Sequence, residues 1–323
     1  MHRVFAGPYG LRAGWRVVLY IVLVATFSSA AGLVLRSGFS RMLDRDGERL
    51  AQTTFSTLAI FAATALMSRL DRQPVTAYGL GPVNRWRNLF SGVAAAFLVL
   101  SGLMGLLRAA GAYTFSAGDI ESEAVWKWAV YWIFFFIAVG FMEEMVTRGY
   151  PLFAMAQGLG FWPSAILLSL VFGLGHLGNR GEAVTGIVNA VIAGLVFAFS
   201  LRWTGTLWWA IGAHMSWDWG ESFFYGVADS GIITPHHFLT GTPDGPEWLS
   251  GGTVGPEGSV LAAGALLLLG FVVRLTSPRY AEPGLERRRP AAPTVSAPGE
   301  IPPPASIPSA SPSTYSVDSG DTN

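Results

Sequence analysis

Apolar runs of 17 residues or more recur between residues 16 and 275 of this 323-residue chain. A bilayer core is about 30 Å thick, so a helix of about 20 apolar residues crosses it. Lipid offers no partner to an open backbone, which restricts spanning segments to helices or closed barrels. Runs of this length select the helix. The composition agrees: 51% of the residues are hydrophobic and 13% are charged, against about 25% charged in soluble domains. The expected fold is all-α, a polytopic membrane helical bundle of about eight transmembrane helices with a disordered C-terminal tail.

The candidate spans are 16–36, 50–69, 88–107, 126–147, 161–178, 184–201, 204–222 and 258–275. The first begins with Arg12 and Arg16 like a signal peptide, but its apolar run continues to Leu35, too long for a usual leader core. With the N-terminus in the cytoplasm, fourteen arginines fall on the inner side and seven basic residues on the outer. The positive-inside rule therefore favours both termini in the cytoplasm of a cell membrane, with a bacterial inner membrane suggested by the arginine-rich composition. Trp126, Trp128, Trp203, Trp208 and Trp209 lie near span ends, where aromatic belts form. Gly186, Ala190 and Gly194 form a small-residue stripe suited to close helix packing, and Asn189 beside them suits a hydrogen bond to a neighbouring helix. From Pro278 to Asn323 the chain turns rich in Pro, Ser and Ala and cannot build a core. The chain divides into N-terminal helices 1–124, a core 125–220, a loop with the last helix 221–277, and the tail 278–323. Zero net charge gives no case for nucleic acid, and the lack of cysteine excludes disulfides, thiolate metal sites and a cysteine nucleophile. The expected partners are membrane lipids and a membrane-protein or peptide substrate.

Six ionisable side chains interrupt these runs: Glu143, Glu144, Arg148, His176, His214 and Asp218. A charge at the centre of a membrane helix costs about 2.5–3.5 kcal/mol on insertion scales, so it persists with a partner, water or a function. Glu144 and Arg148, four apart, share a helix face and can pair. Glu143 is rotated from Glu144 by about 100° and is free to face a polar cavity as a general base. His176 closes the run Phe172-Gly173-Leu174-Gly175-His176. His214 and Asp218 share a face, so Asp218 can hold the imidazole tautomer or help bind an oxyanion. Such a set of acids and imidazoles suits hydrolysis.

Two mechanisms fit these residues equally. Glu143, His176 and His214 could hold Zn²⁺ and leave a fourth position for water. Without metal, Glu143 and His176 could activate water directly. Either way the groups must meet, although Glu143 lies near one end of its span and His176 near the far end of the next. They can meet if the fourth helix runs on to about residue 157, with a bend at Pro151. The adjacent pair His236 and His237 sits in the loop 223–257 and is expected to be solvated rather than metal-bound.

The order E-E-x-x-x-R, F-x-x-x-H, H-x-x-x-D, carried by Glu143, Glu144 and Arg148, then Phe172 and His176, then His214 and Asp218, resembles the CPBP family. This family comprises the CAAX prenyl proteases and bacteriocin-processing intramembrane proteases, also called Abi. The likeness covers about Val125 to Gly220. Asp218 stands where eukaryotic members have Asn. The resemblance implies an intramembrane peptidase, of metalloprotease or glutamate type, in which Glu143 and His176 activate water. It also implies that His214 and Asp218 form the oxyanion site and that Arg148 braces its helix. Other classes compatible with intramembrane acids and histidines are a catalytically silent scaffold or immunity protein and a proton-coupled transporter.

Overall fold

The computed structural model describes residues 6–7, 10–179, 181 and 183–280. Among the described residues, nine α-helices of ten residues or more carry the fold: α1 (Ala13–Val34), α2 (Arg45–Leu70), α3 (Arg85–Ala109), α4 (Val125–Thr147), α5 (Tyr150–Leu159), α6 (Phe161–Gly175), α7 (Val184–Thr204), α8 (Trp208–Trp219) and α9 (Val260–Thr276). Two short antiparallel strands, β1 (Tyr113–Ala117) and β2 (Leu239–Pro243), tie the loop after α8 to the end of α3. Most of the predicted tail, including Arg287 to Arg289, lies outside the described residues. Its first three residues do not: the Tyr280 N–H donates to the Trp203 carbonyl at 2.8 Å, so the chain stays docked on α7 past Pro278.

All eight predicted spans are helical, and six segments are long and apolar enough to cross a membrane. Large apolar side chains stand outward on several of them, including Leu33, Phe90, Leu98, Phe134 and Leu267. An apolar exterior on this scale needs lipid to cover it. The two shorter segments are α8, with 12 residues, and α9, with 17. At about 1.5 Å per residue, α8 cannot cross alone. A π-helical turn, Gly220–Tyr225, prolongs it.

The burial of α8 explains its sequence. Trp209, Ala210, Ile211 and Ala213 are fully buried, so Trp209 is a core residue and not part of an aromatic belt. Glycines set its distance from α3: a Cβ on Gly92 would strike the Trp209 carbonyl, and one on Gly212 would strike that of Leu89. Against α4 the contact is Gly140, whose Cβ would stand 3.2 Å from the Ile211 carbonyl and 3.4 Å from the Met215 side chain. Small residues permit this approach. Gly140→Val should overpack the seam between α4 and α8 at a cost of about 1–3 kcal/mol. The check is a lower thermal midpoint in detergent, with an unchanged midpoint counting against the tight seam.

The fourth span continues as expected, but Pro151 is not where it breaks. The chain turns at Gly149 (φ −76°, ψ −126°), and Pro151 sits in the first turn of α5, where its missing N–H costs nothing. At that end of the bundle Arg16 pairs with Asp71 and donates to Gln157 Oε1 at 2.8 Å, joining α1, α2 and α5.

Candidate active site

Three helices deliver the motif residues. Glu143 and Glu144 occupy the last turn of α4, and Arg148 caps it. His176 caps α6 and opens a single 3₁₀ turn. His214 and Asp218 lie one turn apart on α8. A cavity of about 740 Å³ is lined by Glu143, Phe172, His176, Phe197, His214 and Asp218, among others. Glu144 and Arg148 lie behind its wall, fully buried.

Glu144 is the hub. It pairs with Arg148 through Oε1, as the spacing suggests. The same oxygen accepts from His214 Nδ1 at 2.9 Å. An imidazole nitrogen facing a carboxylate at that distance carries the proton, so Glu144 orients the ring and turns Nε2 toward the cavity. The tautomer is therefore held by Glu144, not by Asp218. Glu143 Oε2 and Asp218 Oδ2 both face the other nitrogen, at 3.5 Å and 3.8 Å. Phe197 stacks on the His214 ring at 5.3 Å between centroids and limits its rotation.

Arg148 does more than brace its own helix. Its Nε donates to the Gly194 carbonyl on α7 at 3.2 Å. Its guanidinium also lies over the rings of Phe172, at 4.7 Å, and Phe197, at 5.3 Å. Gly194 is small because its Cβ would come within 3.1 Å of Arg148 Nη2 and 2.8 Å of Ser169. The guanidinium thus joins α4, α6 and α7 around the hub.

His176 is oriented by its own helix. Its Nδ1 donates to the Phe172 carbonyl at 2.7 Å, leaving Nε2 as the acceptor. Zinc–nitrogen and zinc–oxygen bonds are about 2.0–2.2 Å long, so three ligands must crowd together. Among the described residues, the group of three whose ligand atoms all lie within 4.8 Å of one another is Glu221, Asp229 and Glu257. Glu143 Oε2 and His214 Nε2 stand 3.5 Å apart, but with His176 they do not form such a group.

Several contributors had no signal in the motif pattern. Arg49, Gln52, Thr53 and Ser56 bring a polar stripe of α2 to the cavity. Asn189 does bond a neighbour, donating to the carbonyls of Glu257 and Ser259 at 2.7 and 2.9 Å. These lie in the turn before α9. Glu221 was legible in principle, three residues after Asp218 on the same helical face. Asp229 and Glu257 are loop residues whose meeting no local pattern encodes.

The loop 223–257 closes one end of the cavity through Ser230, Ile232 and Thr234. Its histidines are structural. His237 bonds the Thr234 carbonyl at 2.9 Å and Thr240 Oγ1 at 3.0 Å. His236 stacks on Trp128 at 3.6 Å between centroids. Asp119 accepts from the backbone N–H groups of both, at 2.9 and 2.8 Å. Partial burial pushes its carboxyl upward, but the two N–H donors and the nearby His237 outweigh burial, so its pKa lies below the ordinary value. A depressed carboxyl stabilises the fold above its unfolded pKa, and this is lost as pH falls through the folded pKa. Protection of the His236 and His237 amides from exchange, corrected for intrinsic rate, should therefore hold at neutral pH. It should decline as pH falls below about 4. Asp119→Ala should lower protection at pH 7 and remove that acid dependence; unchanged protection in the variant would dismiss the clasp.

A buried carboxylate that orients an imidazole, with a second acid beside it on a cavity wall, is an arrangement able to activate water. Residues 125–220 match the family model described as type II CAAX prenyl endopeptidase Rce1-like. That match, over about a third of the chain, supports a CPBP family intramembrane protease. No curated protein and no solved structure matches it.

Proposed function

We propose that this protein hydrolyses a peptide bond of a membrane-associated protein or peptide, by a water molecule activated in the cavity between α4, α6 and α8. One observation carries the reading: Glu144 bridges Arg148 and His214, which leaves Glu143 and the His214 Nε2 edge facing one cavity. Glu143 is the general base. Its side chain is 31% exposed, against 0% for Glu144, so it is the acid of the pair that water can reach. His176 presents Nε2 as a second acceptor that orients the attacking water. His214, when protonated at Nε2, donates to the oxygen of the tetrahedral intermediate, and Asp218 beside it steadies that charge distribution. Proton transfer from Glu143 to the leaving amine completes the cleavage.

His176 completes no close three-ligand group with Glu143 and His214, which supports the metal-free route. The walls are largely apolar, with Val139, Met142, Val146, Val171, Leu266 and Leu269, which suits an extended apolar substrate segment. The test is cleavage of a panel of apolar and prenylated peptides by the purified protein in detergent. Cleavage by wild type and its loss in Glu143→Gln is the expected pattern. Equal cleavage by both proteins would remove the proposal.

A further inference from the structure

A second acidic cluster lies at the loop end of α8. Glu221, in the π-helical turn after α8, meets Asp229 and Glu257, with one carboxylate oxygen from each within 4.8 Å of the others. Three carboxyl groups this close need protons or a cation between them, and two features point to a cation. Glu221 is 0% exposed, and neither of its carboxylate oxygens has a hydrogen-bond partner at normal geometry among the described residues. The Trp217 indole nearby supplies at most a weak attraction. No Lys or Arg occurs between residues 223 and 257. None of the three acids forms an ion pair with a described basic residue.

The other two acids are held in place rather than neutralised. Glu257 Oε2 accepts from the Ser230 N–H at 3.1 Å and the Ser230 hydroxyl at 2.7 Å. The Glu257 carbonyl is held by Asn189. Asp229 Oδ2 accepts from the Ser222 hydroxyl at 3.2 Å. A carboxylate has about four acceptor positions, so each keeps capacity for a further partner.

We propose that Glu221, Asp229 and Glu257 bind one hard divalent cation of calcium's size. Oxygen-only donors select Ca²⁺, Mg²⁺ or Mn²⁺ over zinc. The ligand backbone then favours the larger ion. Asp229 is carried by a loop, Glu257 by a short 3₁₀ turn and Glu221 by a π-helical turn, which suits the flexible coordination of Ca²⁺ at about 2.3–2.6 Å better than the near-ideal octahedron that Mg²⁺ requires at about 2.0–2.1 Å. The ion ties the turn that follows His214 and Asp218 to the loop and to the start of α9. It acts as a brace at the end of the cavity that Asp229 and Glu257 share with the water-activating residues, and it does not depend on the proposed cleavage.

The test uses the full chain in detergent, stripped with chelator and titrated with Ca²⁺, with Tb³⁺ luminescence excited through tryptophan as a second readout. Wild type should bind one Ca²⁺ per chain saturably and gain several degrees in thermal midpoint. Glu221→Gln and Asp229→Asn should each lose the binding and the shift. Without Ca²⁺, Glu221→Gln should melt no lower than wild type, because it relieves repulsion; this separates a lost ligand from a lost fold. Glu143→Ala should keep the binding. The proposal is overturned if wild type shows neither Ca²⁺ shift nor Tb³⁺ emission, if Glu221→Gln and Asp229→Asn bind as wild type does, or if Glu143→Ala abolishes binding.

Discussion

Glu143→Gln is expected to reduce kcat/KM for peptide cleavage by about 10²–10⁴-fold, the usual contribution of a positioned general base. Its thermal midpoint should stay close to that of wild type. The reason lies in where the side chain stands. Glu143 occupies the cavity wall, and the one charged partner it faces is His214 Nε2 at 3.5 Å, longer than a hydrogen bond. The amide keeps the size and polarity of the carboxylate but cannot take a proton from water. Activity loss without stability loss is therefore the signature of a base. A variant that retains activity within about tenfold of wild type would show that the base is elsewhere.

The second large effect is structural. Arg148→Ala should lower stability by about 3–5 kcal/mol, the cost of removing one partner of a buried ion pair. In a helical unit of this size that is a fall of about 10 °C or more in thermal midpoint. The substitution leaves the buried Glu144 carboxylate without its guanidinium, with His214 as its remaining partner, and removes the bond to the Gly194 carbonyl and two ring contacts. Activity should fall with it, because Glu144 also orients His214. Removing both charges together, as Glu144→Leu with Arg148→Met, should destabilise less than Arg148→Ala alone, because no buried charge is left uncompensated. A midpoint for Arg148→Ala within about 2 °C of wild type would mean that this pair is not what joins α4, α6 and α7.

The two glutamates show how far local pattern reaches. Helical geometry alone divides them, because adjacent residues point about 100° apart. The Glu144–Arg148 pair follows from the four-residue spacing. The link from Glu144 to His214 spans 70 positions, and nothing in either motif states which acid meets the imidazole. The expectation that Asp218 holds the tautomer rested on its own four-residue spacing. The structure overrides it because both Asp218 and Glu143 face Nε2, while the Nδ1 edge turns to α4.

The run 204–222 forms a shorter helix, α8, than its hydropathy predicts, for a related reason. Its apolar run resembles a span, yet it is short and buried among protein neighbours rather than lipid. Hydropathy does not distinguish the two, since lipid tails and packed side chains are equally apolar. Trp209 follows the same logic: near a span end in sequence, at the core in space. The break after α4 came at Gly149, two residues before the proline that suggested it, because Pro is well tolerated in a helix's first turn.

Long uncharged runs, the cost of charge in lipid and the fixed period of the helix were enough to establish a multi-helix membrane protein with a polar site carried by Glu143, Glu144, Arg148, His176, His214 and Asp218. Those are properties of neighbouring residues, and a one-dimensional pattern carries them. Which carboxylate orients His214, whether three donors stand close enough for zinc, and why Glu221, Asp229 and Glu257 meet depend on distances between segments far apart in the chain. Only helix packing decides such distances, through small residues such as Gly92, Gly140 and Gly212 that allow backbones to touch.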